Sequence, residues 1–86
     1  MEIHVQPTPN PNAHKYVLPA KMFTQPLNAS TADAAAAHPL AASLFALDDV
    51  YNVFLAQDFV TVNKLPAASW ETVDQAVLRV LAEYFE

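Results

Sequence analysis

No cysteine occurs among the 86 residues of this chain, and that single absence excludes disulfides, thiol nucleophiles and thiolate ligation of zinc or iron-sulfur clusters. Glycine is absent as well. There is therefore no glycine loop to cradle a phosphate, and turns must be made by Pro, Asn and Asp. Basic residues are few: Lys15, Lys21, Lys64 and Arg79 are scattered against nine carboxylates, for a net charge of −5. Such a chain repels a phosphate backbone, so nucleic acid is not an expected partner. No run reaches the roughly 18 apolar residues of a membrane span, and the opening Met1-Glu2-Ile3-His4 lacks the basic and apolar regions of a secretory signal. A soluble, cytoplasmic protein with no membrane partner is the expectation.

What is present argues for a folded unit. Hydrophobic residues make up 53% of the chain and charged residues only 15%, far from the signature of disorder. At this length one domain covering residues 1–86 is expected, with a continuous core, because so small a chain buries only about 60 to 65% of its unfolded surface.

Local patterns supply the elements. Ile3 and Val5 alternate with His4 and Gln6, the period of a half-buried strand, and Pro7 ends it by removing a backbone donor. The stretch Thr8-Pro9-Asn10-Pro11-Asn12 reads as a stiff loop, since each proline fixes its own φ and pushes the preceding residue into an extended conformation. A second strand runs over residues 15–18 until Pro19, and a third is placed at residues 22–25, before Pro26. The alanine run 34–37 favours helix but buries little, so one helical turn is expected. With His38 as cap and Pro39 at the first helical position, Leu40, Leu44 and Leu47 share one face of a helix over residues 39–47, ended by Asp48-Asp49. Residues 50–56 and 59–64 are β-rich and separated by Gln57-Asp58. That spacing predicts a hairpin, with a bulge or longer turn because Asn-Gly and Asp-Gly are missing. Finally Trp70, Val73, Val77, Leu81 and Tyr84 recur at helical intervals over residues 70–85, behind Ser69 as N-cap and with Glu71 and Asp74 near the positive end of the dipole.

The order β-β-(β)-α-β-β-α, with one apolar face per helix, predicts an α+β two-layer fold: an antiparallel or mixed β-sheet with two helices packed on one face. The other sheet face would meet solvent, lined by His4, Gln6, Thr61 and Asn63.

Few residues offer chemistry. Ser30, Ser43 and Ser69 lack a nucleophile signature, and Asp48-Asp49 sit at the negative end of a helix, where solvated carboxylates are expected, so the chain does not read as an enzyme. His4 and His14 would approach each other if the first two strands pair and are the residues a mononuclear metal would use. Neither has a carboxylate beside it at ligand spacing, and surface histidine is the plainer reading for both and for His38. For most of Tyr51, Phe54, Phe59, Trp70, Tyr84 and Phe85 core packing is the ordinary reading, since strand and helix periodicities assign them inward positions, any exposed one becoming an interface candidate. The Thr8 to Asn12 loop is either a preordered recognition element or a rigid connector whose asparagines satisfy their own backbone.

Taken in order, Thr8-Pro9-Asn10-Pro11-Asn12 with Lys15-Tyr16, Thr31-Ala32-Asp33, Pro39-Leu40-Ala41, Leu44-Phe45, the run 50–54, Phe59-Val60-Thr61-Val62-Asn63-Lys64 and Trp70 opening the last helix resemble the N-terminal domain of Nfu/NifU-type iron-sulfur cluster scaffold proteins. The family often has glycine after the first helix and in the hairpin turn, where Asp49 and Ala56-Gln57 stand here, and serine where His38 precedes Pro39. In that family a second domain with a Cys-x-x-Cys pair holds the cluster. The resemblance therefore implies a non-enzymatic part in iron-sulfur cluster assembly or delivery. It implies a monomer that contacts a cluster carrier or a recipient apoprotein and has no cofactor in this chain. Thr8, Pro9, Asn10, Pro11, Asn12, Lys15, Thr61 and Asn63 are the candidate contact residues. The alternative is a direct iron-binding protein using His and carboxylate ligands.

Overall fold

A computed structural model describes residues 2–85. The elements are β1 (His4–Pro7), β2 (Ala13–Val17), β3 (Leu27–Ala29), α1 (Ala32–Ala35), α2 (Pro39–Phe45), β4 (Val50–Ala56), β5 (Phe59–Lys64) and α3 (Trp70–Phe85). The five strands form one sheet in the order β1-β2-β5-β4-β3, with every neighbouring pair antiparallel. The expected α+β two-layer architecture is what forms, and the helical turn expected at the alanine run is α1, which starts two residues earlier because Thr31 caps it.

Alternation along the strands divides the sheet into two faces. On one face Tyr16 and Leu55 flank Val60, and Val53 lies opposite Val62; all five are sealed from solvent and join Leu40, Ala41 and Leu44 of α2 and Val73, Val77 and Leu81 of α3 in a single core cluster. Each fully buried Leu or Val contributes about 1.5–3 kcal/mol by leaving water. On the other face Lys15, Phe54, Phe59, Thr61 and Asn63 are only half-buried, with no element above them.

The helix caps follow the expected chemistry. Thr31 accepts from the Ala34 N–H (3.1 Å) and the His38 ring nitrogen Nδ1 accepts from the Leu40 N–H (3.1 Å), with Pro39 opening α2. The Ser69 hydroxyl accepts from the Glu71 N–H (3.2 Å) at the start of α3. α2 stops at Phe45, two residues short of the expected end, because the Leu47 N–H turns to the Leu44 carbonyl (3.1 Å) in a tighter i→i−3 bond.

Two local expectations are corrected. The third strand is not residues 22–25 but β3, after Pro26: the Met22 and Phe23 N–H groups are spent on the Gln57 carbonyl (2.8 and 3.1 Å), while Leu27 and Ala29 pair with Leu55 and Val53 and turn to the core. The hairpin between β4 and β5 needs no bulge or longer turn. It closes on Gln57-Asp58 alone, with Ala56 opposite Phe59, and Gln57 takes the left-handed conformation itself (φ 47°). The bulge lies at the other end of β4, where Tyr51 is the extra residue between Val50 and Asn52. There it turns Val50 to the core and leaves Tyr51 44% exposed.

Candidate functional site

The proline-asparagine loop is held by its own backbone and by α3. The Asn10 side-chain oxygen accepts from the Asn12 N–H (2.9 Å), and the Thr8 hydroxyl lies 2.9 Å from the Asn10 carbonyl and 3.0 Å from that of Ala13. Trp70 donates its indole N–H to the Pro11 carbonyl (2.8 Å). Lys64, 6% exposed, sends its ammonium to the Asn12 side-chain oxygen (3.1 Å), to the Leu65 and Pro66 carbonyls (3.4 Å each) and toward the Trp70 ring (5.7 Å to the centroid). A desolvated cation is thus balanced by neutral oxygens and a ring. The amide oxygens of Asn10 and Asn12 are engaged internally, and the loop presents Pro9, Asn10 and Pro11 to solvent.

Beneath the loop lies a cluster that local sequence reasoning missed. Asp74 of α3 accepts a hydrogen bond from the Tyr16 hydroxyl (2.5 Å) and pairs with His14 Nδ1 (2.9 Å), while the His14 ring stacks on Trp70 with centroids 3.6 Å apart and planes 7° from parallel. Burial, and then the hydrogen bond and negative charge of Asp74, push the Tyr16 hydroxyl far above the ordinary tyrosine range. The phenol therefore stays protonated as a donor, tying β2 to α3. Two spacings carried the signal: His14 and Tyr16 alternate onto one strand face, and Trp70 and Asp74 are four apart on one helix face. What no spacing indicated was that a carboxylate 60 residues away would meet His14.

The metal candidates do not come together. β1 and β2 pair, but His4 lies opposite Val17 and His14 opposite Pro7. His4 faces the open side and His14 the helices. A ligand pair from His4 and His14 is therefore corrected: the pairing that was to unite them puts them on opposite faces. Among the described residues no group of three or more His, Cys, Asp or Glu is placed to hold a metal ion. With no thiol in the chain, the donor set does not fit an iron-sulfur cluster.

The open sheet face gathers His4, Gln6, Thr61 and Asn63 as expected, and Lys15, a contact candidate, joins them there. It also gathers aromatics that periodicity had assigned to the core. Phe54 and Phe59 lie 6.0 Å apart on this face, and the Lys15 ammonium sits 4.3 Å above the Phe59 ring. Thr61 stands between them, opposite Lys15 on one side and Phe54 on the other. The core assignment is corrected for Tyr51, Phe54, Phe59 and Tyr84, which lie on the open face or are exposed, whereas Trp70 and Phe85 pack partly buried against the core; the sealed aromatic among the described residues is Tyr16. The physical reason is parity. Val53, Leu55, Val60 and Val62 take the inward positions, so Phe54 and Phe59 fall on the other set.

Two further features shape this face. A ladder of amides crosses three strands, Asn63 donating to Asn52 (3.2 Å) and Asn52 to Asn28 (3.0 Å) and Ser30 (2.6 Å). At the opposite end a groove of about 330 Å³ opens between Phe54 and Phe59 and the 23–26 segment. Among the described residues no carboxylate lies on a strand.

A family model described as "Scaffold protein Nfu/NifU N terminal" matches residues 3–86. The NFU1 iron-sulfur cluster scaffold homolog, mitochondrial, of Drosophila willistoni is 34% identical over 87 residues, covering 99% of this chain and 30% of the relative. The protein of the same description from Drosophila persimilis is 32% identical, with 99% of this chain and 31% of the relative covered. The chain thus spans about 30% of the length of the curated relatives it matches. Among solved structures, the crystal structure of protein SAV1430 from Staphylococcus aureus superposes with a TM-score of 0.78 at 27% identity, over 94% of this chain and 99% of that one. The solution structure of a NifU-like protein from Saccharomyces cerevisiae gives a TM-score of 0.78 at 21% identity, over 95% and 76%, a likeness of fold.

Proposed function

Since this chain belongs to the Nfu/NifU N-terminal scaffold family, we propose that it takes part in iron-sulfur cluster biogenesis by contact: the domain docks on a cluster carrier or a recipient apoprotein and orients it, while the cluster rides on thiolates outside these residues. The observation that carries this reading is the pairing of family membership with a sequence that contains no cysteine. A chain without thiolate ligands contributes shape and surface.

The open sheet face is the contact surface in this reading, with Lys15, Thr61 and Asn63 at its centre and Thr8, Pro9, Asn10, Pro11 and Asn12 at its margin. A half-buried aromatic pair beside a cation offers apolar area with little ordering cost, because the strands already fix the side chains. The loop serves mainly as a rigid connector, its asparagine oxygens being engaged within the chain. The domain acts as a monomer and catalyses nothing. Its compartment follows its partner; a cytoplasmic setting belongs to this proposal, while the mitochondrial designation is that of the fly relatives.

The test is a titration of isotope-labelled protein with an iron-sulfur carrier protein, first cluster-free and then loaded. Saturable shifts at Lys15, Phe54, Phe59, Thr61 and Asn63 are expected, with no transfer of iron to this chain. Absence of association with either form, or stoichiometric cluster on the purified domain, would refute the reading.

A further inference from the structure

The distribution of charge over the molecule says what kind of surface the open face meets. The chain is acidic overall, yet its carboxylates are segregated. Glu2 precedes β1, Asp33 lies in α1, Asp48 and Asp49 follow α2, Asp58 is in the hairpin turn, and Glu71, Asp74 and Glu83 are on α3. The sheet face between them carries Lys15, the amides of Asn28, Asn52 and Asn63, and aromatic rings. A basic partner is favoured where these carboxylates gather, on the helix side and at the ends of the strands; the open face, with Lys15 and no strand carboxylate among the described residues, is the less repulsive surface for an acidic one.

Lys15 is suited to receive it. Among the described residues the carboxylates within 4 Å of a basic side-chain nitrogen are Glu2, beside His4, and Asp74, beside His14, so none is matched to Lys15. Its ammonium is held over the Phe59 ring, which orders it without neutralising it and leaves its donors for an incoming acceptor. On the other side of the Phe54 and Phe59 pair is the groove walled by Pro26, Ala56 and Gln57.

Resting on the reading that this domain works by contact, we propose that the open face binds an acidic segment of a protein partner. A carboxylate of the segment meets Lys15, and a neighbouring aliphatic or aromatic side chain enters the groove beside Phe54 and Phe59. The amide ladder then faces the polar remainder of the segment, where neutral donors and acceptors tolerate several side chains. Charge sets the choice of partner, and the anchored side chain supplies the apolar area.

Three short fluorescent peptides of equal length test this on the intact chain: one with Asp and Glu flanking a single Phe, one with those carboxylates replaced by Asn and Gln, and one with Lys in their place. The acidic peptide is expected to bind at least about tenfold more tightly than either of the others at low salt, a difference that shrinks as ionic strength rises. Its shifts should map to Lys15, Phe54, Phe59 and Thr61. Lys15→Glu should abolish this preference, whereas Arg79→Glu, the same charge change on the exposed side of α3, should leave it intact. Equal binding of the three peptides, tighter binding of the basic one, or shifts confined to α3 would overturn the proposal. The two levels separate cleanly. If an iron-sulfur carrier engages the open face while the acidic peptide shows no preference, the partner chemistry is wrong and the contact function stands. If the acidic peptide binds as described while no cluster protein associates, the proposal for this face holds and its place in cluster traffic fails.

Discussion

The two faces of the sheet are built from the same strands, one residue out of step, and they differ in almost every physical respect. On the covered face Tyr16, Val53, Leu55, Val60 and Val62 are sealed beneath α2 and α3. On the open face Lys15, Phe54, Phe59, Thr61 and Asn63 are half in water, and Lys15 brings a positive charge to a surface with no strand carboxylate. Stability resides in one set of alternate residues and is largely indifferent to the other. The open set is therefore free to be shaped by a partner, and rings that would otherwise strengthen a core have been left outside it.

Matched deletions on the two faces separate their roles. Leu44→Ala removes a fully buried side chain beneath the helices and should cost about 3 kcal/mol, read as a lowered urea midpoint with unchanged slope. Phe59→Ala removes a larger side chain from the open face and should cost only about 1 kcal/mol, while abolishing the contact shifts expected for a partner. Should Phe59→Ala prove the more destabilising of the two, the division of labour between the faces would be wrong.

A smaller effect is expected at the polar tie under the covered face. Tyr16→Phe removes the hydroxyl that donates to Asp74 and should cost about 1.5–2 kcal/mol near neutrality. The same substitution has a pH signature. Burial, reinforced by Asp74, keeps the native phenol protonated above the ordinary tyrosine value of about 10, so at high pH the unfolded chain binds fewer protons than the native one. The stabilisation from Tyr16 is whole below that value and declines as pH rises beyond it, by at most about 1.4 kcal/mol per pH unit. Urea midpoints measured on both sides of pH 10 should fall less steeply in Tyr16→Phe than in the parent.

How much of this was legible in the residues depended on range. α3 and the two strands of the hairpin were readable to the residue, because each is long and periodic and its apolar positions agree with its propensities. The helix cap at His38 and the open-face placement of His4, Gln6, Thr61 and Asn63 followed from local chemistry and alternation. The third strand was misplaced because its location depends on the Gln57 carbonyl capturing Met22 and Phe23, a contact made across more than thirty residues. Residues 53–56 are all apolar, so alternation alone does not say which set turns inward; the pairing of Val53 with Val62 and of Leu55 with Val60 gives the covered face to those four and leaves Phe54 and Phe59 outside. Nor did anything near His14 in the chain announce Asp74. The site's chemistry was therefore visible as single residues and hidden as an arrangement.

The finest test concerns the turn that assigns residues to faces. With Ala56 opposite Phe59 and two residues between them, the hairpin fixes the register in which Val60 and Leu55 point inward; a slip of one residue would exchange the faces along β5. Gln57 holds that register in a left-handed conformation at φ 47°, which a side chain bearing Cβ adopts at a cost of about 1 kcal/mol. The cost is offset because the Gln57 carbonyl receives two backbone N–H groups and the Asp58 carbonyl a third, from Leu18 (2.7 Å). Gln57→Gly relieves the steric cost and keeps those carbonyls, at the expense of a more flexible unfolded chain. It should therefore raise stability by about 0.5 kcal/mol, seen as a small upward shift of the urea midpoint with unchanged strand pairing. A destabilised Gln57→Gly would mean that the glutamine side chain itself, and not the backbone, secures the turn and with it the separation of the two faces.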